Sequence, residues 1–278
     1  MDTSHDDLVN LVNSSGFLFQ LRVEQEISST EAKHGKTVLA HEHRWTHPTT
    51  QQEGFIDLIT TAGTNGKIII ECKRLRAAEW VFLVPTSAKP TTSLRILWAK
   101  RLSEERRGSA WDAFSLKRQS LEAEFCIVRG QADTQNPMLE RLSTSVLASV
   151  EAVAHEELAF AQARGLPGLR FYFPAIVTTA RLFACRVDTS EIDLPTGELK
   201  DAPFEEVPFI RFTKSMPTTL TSSRIPSDIS KASMQSRRSV FVVNASHLTE
   251  FLTGEWEFNP PPGGVSWPWT LPVWADAQ

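Results

Sequence analysis

Gly54-Phe55-Ile56-Asp57-Leu58-Ile59-Thr60 and Lys67-Ile68-Ile69-Ile70-Glu71-Cys72-Lys73 are two β-rich runs separated by the turn sequence Ala62-Gly63-Thr64-Asn65-Gly66. Short strands around a Gly/Asn loop predict a hairpin. With residues 62–66 as the loop, Thr61 pairs with Lys67, and four steps further in Asp57 faces Glu71. Side chains paired in this way share one face, about 5 Å apart at Cβ. Two like charges among isoleucines destabilise a hairpin unless a cation sits between them. Lys73, two residues past Glu71, projects from the same face. Ile69 and Phe55 share that face, so it is expected to be half buried.

Outward from the hairpin, residues 6–29 read as helical with a break near Ser14-Ser15-Gly16. Phe19, Val23 and Ile27 form an apolar stripe, with Gln20 and Glu24 beside it one turn apart. His34-Gly35 ends the segment, and Thr37–Thr46 reads as a strand. Trp80–Val84 is a short strand stopped by Pro85. Residues 86–119 are irregular and basic. Asn136-Pro137 opens a helix through Leu139, Leu142, Val146, Val150, Val153 and Leu158 that ends at Gly165. Strands are expected at 170–173, 176–179, 182–187, 207–212 and 240–243, and a short helix at 247–252. Residues 214–238 read as a mobile, Ser/Thr-rich basic loop, and 254–278 as a Pro/Trp-rich tail. The element order predicts an α/β chain with a mixed sheet and helices on its faces.

The chain has 278 residues, 41% of them hydrophobic, and a net charge of −4. That length suits one domain spanning 1–278, with a core at about 15–190, further strands and the loop over 191–253, and the tail. The charge excludes a polycation, so nucleic-acid binding would need local patches and bound metal. Cys72, Cys126 and Cys185 are scattered, which argues against a disulfide framework or a thiolate zinc site and for a reducing, cytoplasmic compartment. An acidic start without an apolar stretch predicts no signal peptide, and no apolar run nears the roughly 20 residues of a membrane helix.

Asp57 followed across a turn by Glu71-Cys72-Lys73 resembles the PD-(D/E)xK nuclease superfamily, whose restriction-endonuclease-like fold sets an N-terminal helix before a three-stranded meander, then a helix and another strand. Gly16-Phe17-Leu18-Phe19-Gln20 with Val23, and Trp80-Val81-Phe82, strengthen the likeness. The resemblance covers roughly residues 15–190, and Ile56 stands where many members have Pro. It implies a metal-dependent nuclease, DNA favoured over RNA, with Mg²⁺ or Mn²⁺ held by Asp57, Glu71 and the Cys72 backbone carbonyl. Lys73 would then orient or activate a water, or stabilise charge. The superfamily's helix-one residue falls on Glu24 or on Gln20. Many such nucleases pair to cut two strands, so a homodimer is left open. The alternative is a catalytically silent module that binds nucleic acid or a partner on the same scaffold.

Other signals compete. Lys100, Arg101, Arg106 and Arg107 are candidate phosphate contacts, although a solvated helix face explains them equally well. Lys214, Arg224, Lys231, Arg237 and Arg238 form a second basic set that would clamp a strand or simply stay solvated. Trp256, Trp267, Trp269 and Trp274 are expected to stack bases or to pin the tail to the core. His41, His43 and His47 alternate along one strand near Glu53, a zinc- or iron-type arrangement against which an exposed strand face is favoured. Gly35-Lys36-Thr37 lacks the first Gly of a P-loop, and His155-Glu156 lacks the second His of a zincin.

Overall fold

The computed structural model describes residues 4–63, 65–75, 78–101, 107–130, 137–164, 168–220 and 225–259. In chain order the elements are α1 (His5–Ser14), α2 (Phe17–Ser29), α3 (Glu31–His34), β1 (Val38–Thr46), β2 (Glu53–Ala62), β3 (Gly66–Lys73), β4 (Glu79–Pro85), β5 (Thr91–Arg101), β6 (Arg107–Ser120), β7 (Glu122–Ala123) and β8 (Phe125–Val128). There follow α4 (Met138–Ala163), β9 (Gly168–Thr178), β10 (Arg181–Val187), β11 (Phe204–Glu206), β12 (Phe209–Ser215), α5 (Ile229–Ser236), β13 (Arg237–Asn244) and α6 (Leu248–Thr253).

Among the described residues the strands build two mixed sheets rather than the single one expected. The larger runs β1-β2-β3-β9-β13-β12-β7, with the β5–β6 hairpin attached to β9. The smaller runs β11-β10-β4-β8. β3 lies parallel to β9, and β9 parallel to β13. Strand alternation sends Ile59 and Ile69 into a core shared with Val146, Val150 and Val153 of α4, while Leu58, Ile68 and Ile70 pack with Val23 and Ile27 of α2 and Phe251 of α6. No helix among the described residues is long and apolar enough to cross a membrane.

Local chemistry explains the ends of the N-terminal helices. Ser4 caps α1 in a capping box with Asp7, and Gly35, at φ 64°, closes α3 in the left-handed region. The hairpin register is the expected one, Thr61 opposite Lys67, but the ladder extends one pair further, to Ala62–Gly66.

Three expectations are corrected. The basic stretch 86–119 contains the long β5–β6 hairpin. β5 is buried on both faces over 96–99, with Leu94, Ile96 and Trp98 in one core and Leu97 and Trp111 in the other, so no two-residue alternation marks it, whereas β6 alternates and leaves Ala113, Lys117 and Gln119 exposed. The strands expected at 170–173 and 176–179 are one, β9, running through Pro174. Pro174 fits because β5 pairs with β9 only as far as Tyr172 and β13 begins at Ala175, so no ladder on that side needs its missing N–H. The supposed loop 214–238 holds α5, capped by Asp228. There Lys214 pairs with Glu140, Arg237 with Glu122 and Glu124, and Arg238 lies buried over Trp111. These cations are consumed within the fold, and Lys231 pairs with Asp228. Arg224, Asn136, Gly165, Trp267, Trp269 and Trp274 lie outside the described residues. Trp256 is buried against Phe173, Phe241 and Phe251, so it pins the chain rather than stacking bases.

Candidate active site

The β2–β3 ladder ends at Leu58–Ile70, one step before Asp57 and Glu71. There Asp57 Oδ2 accepts the backbone N–H of Cys72 at 2.6 Å. Glu71, Cys72 and Lys73 form the C-terminal end of β3, beside Ile176, Val177 and Thr178 of the parallel β9. Carboxyl ends of parallel strands are where open α/β sheets hold ligands.

Burial pushes the Glu71 carboxyl up to about 7, and the Asp57 charge adds to the shift. Burial also raises Asp57 to about 6 against the opposing Cys72 N–H bond, with a further push from Glu42. Lys73 draws both carboxyls the other way. The Cys72 thiol is driven upward, first by burial and then by Asp57, Glu71 and Glu42. It is therefore no thiolate nucleophile or ligand.

Glu42 is the residue that sequence reasoning missed. Its neighbours His41 and His43 pair with Leu58 and Ile56, which sets Glu42 opposite Asp57. Its φ of 45° is in the left-handed region, where a side chain other than Gly is uncommon. The available signal was an acid at strand-pair spacing from Asp57, and that is invisible until the β1–β2 register is known.

The two helix-one candidates occupy different places. Gln20 is buried, its Nε2 donating to Glu42 Oε1 and, at 3.3 Å, to the Asp57 carbonyl. Glu24, one turn on, meets His41 Nδ1 at 2.9 Å. Arg74 follows Lys73 and donates to the Asn13 and Ser15 carbonyls, tying the α1–α2 corner to this end of β3.

The remaining candidates are separate. Lys100 is in β5 and half-buried; Arg101 and Arg107 are a backbone pair at the end of the described hairpin, and Arg106 lies outside the described residues. The strand histidines do not share a ligand. His41 meets Glu24, His43 meets Glu156 at 2.8 Å, and the buried His47 meets Glu151 at 3.1 Å, while Glu53 pairs with Arg44. Among the described residues no three His, Cys, Asp or Glu side chains gather closely enough to hold a metal ion by themselves, at the histidines or around Asp57. Compared with known proteins, the chain matches no family model, no curated protein and no solved structure.

Proposed function

We propose that this protein is a metal-dependent nuclease of the PD-(D/E)xK type, hydrolysing phosphodiester bonds, with DNA the favoured polymer. The observation that carries the reading is the pair of carboxyls, Asp57 and Glu71, both raised by burial at the end of β3 with Lys73 beside them. Burying two like charges is costly unless a cation compensates them. The order α2, antiparallel meander, α4 and a strand parallel to β3 also supports a restriction-endonuclease-like scaffold.

The donor set fits Mg²⁺ or Mn²⁺. Asp57, Glu71 and the Cys72 carbonyl offer hard oxygen, and Mg²⁺ takes one or two carboxylates and keeps several waters, so a third protein carboxylate is not required. Such an ion neutralises phosphate charge and acidifies a water. The chain's own groups do the rest. The Cys72 N–H fixes one Asp57 oxygen and leaves the other for a ligand. Gln20 braces Glu42 and the Asp57 backbone from α2. Lys73 orients the attacking water or stabilises the charge that develops on the phosphate.

The test is cleavage of supercoiled plasmid, single-stranded DNA and RNA with Mg²⁺, Mn²⁺ or EDTA, for wild type and Asp57→Ala. Metal-dependent cutting lost in the variant is expected. Absence of both cutting and Mn²⁺ binding by calorimetry would overturn the reading in favour of a silent binding module.

A further inference from the structure

A crevice lies between the two sheets at the ends of β4 and β10. These strands run parallel, with Val84 beside Arg186 and Pro85 beside Val187. Past that point the chain diverges, from β4 toward β5 of the larger sheet and from β10 into the helical turn Thr189–Glu191. Residues of both paths, with β7, Phe125 and Arg237, line a cavity of about 690 Å³. That is the size of a small-molecule site. Such sites form at the carboxyl ends of adjacent parallel strands, where the chain parts.

Both walls are pinned in advance. The Thr86 N–H donates to the Val187 carbonyl, and Arg186 donates to the Ala88 carbonyl at 2.7 Å, so the β4–β5 loop is held against β10. The start of β5 is held by the buried Arg211, which donates to the Ser93 and Thr91 carbonyls. A cavity formed in this way spends little ordering entropy when it binds.

The lining selects the occupant. Leu83, Val84, Ala88, Ala123, Phe125 and Val187 make an apolar wall. Phe125 is 57% exposed, area that an apolar ligand would take out of water. The acids are already spent. Arg237 pairs with both Glu122 and Glu124, and Arg211 reaches Glu122 at 3.6 Å. The remaining lining charge is Lys89, which is exposed and has no carboxylate partner among the described residues. We propose that this cavity binds a small amphiphile, an apolar chain or ring system ending in one carboxylate that Lys89 meets. A cationic ligand would find no uncommitted acid there, and a polyanion would find one lysine beside an apolar wall.

The inference does not depend on nuclease activity. Its test is calorimetric titration of the full chain, without metal or nucleic acid, using decanoate and decylammonium as probes of opposite charge on the same apolar body. Wild type, Lys89→Glu and Ala88→Phe are compared, with Lys33→Glu on α3 as a control. Lys89 is exposed, so its substitution should leave melting unchanged. Decanoate should bind wild type and the control at one site with micromolar affinity, and at least about tenfold tighter than decylammonium. Lys89→Glu should weaken decanoate by at least about tenfold, and Ala88→Phe, which fills the cavity, should do the same. No saturable binding of decanoate, equal affinity for the two probes, or binding unchanged in Lys89→Glu would each overturn the assignment.

Discussion

Asp57 Oδ2 takes the Cys72 backbone N–H at 2.6 Å, just past the last β2–β3 ladder pair. A carboxylate side chain thus stands in for a strand acceptor where the two strands part. The bond favours the charged form, yet burial outweighs it and the carboxyl titrates near 6. Position and charge conflict at this point, a conflict that the proposed cation would relieve.

That conflict has a pH signature. Asp57 and Glu71 have folded values of about 6 and about 7, above their ordinary 3.8 and 4.5. Across that window the native protein keeps protons the unfolded chain has released, so stability should fall as pH rises from the ordinary values through the folded ones. The double variant Asp57→Asn with Glu71→Gln should melt higher than wild type above that window and lose its advantage below it. Mn²⁺ should raise the melting temperature of wild type and not of the variant. Identical melting curves for the two proteins across the range would contradict the burial of these charges.

Glu42 occupies a backbone conformation that suits glycine. Glu42→Gly should leave stability unchanged or raise it by about 1 kcal/mol. The same change removes the carboxylate that Gln20 holds beside Asp57, so plasmid cleavage should fall by at least about tenfold. A variant that melts as before and cuts as before would remove Glu42 from the site.

Gly66 has no room for a side chain. A Cβ there would lie 2.2 Å from the Ala62 carbonyl oxygen and 3.0 Å from the Phe173 ring. Gly66→Ala should therefore break the closing Ala62–Gly66 pair and cost about 1–3 kcal/mol in urea unfolding. Loss of cleavage should accompany it, since the same strands carry Asp57 and Glu71. Unchanged unfolding would mean that the turn closes differently.

Glu151 is a buried carboxylate on α4 shared by three other segments. It accepts from Trp111 Nε1 at 2.7 Å, from the Thr219 amide and hydroxyl, and meets His47 at 3.1 Å. Glu151→Gln puts an amide donor among donors and should destabilise by about 3–5 kcal/mol in urea unfolding. A loss under about 1 kcal/mol would show that these bonds contribute little.

The sequence by itself determined the local elements and one critical register. The Gly/Asn turn between two β-branched runs fixed Thr61 against Lys67, because an alternating strand pair can slip only by exchanging its faces. The break at Ser14-Ser15-Gly16, the Gly35 cap and the short C-terminal helix were equally legible, since each depends on its own few residues. The tertiary structure decided everything set by contacts distant in sequence. It placed Gln20, rather than Glu24, against Asp57, and it brought in Glu42 through the β1–β2 pairing. It turned the basic stretch into a hairpin whose first strand is buried on both sides over 96–99, and paired Lys214 with Glu140 and Arg237 with Glu122 and Glu124. Periodicity records which face of an element is apolar. It carries no record of which neighbour covers that face, and here the neighbours decide which charges remain free to act.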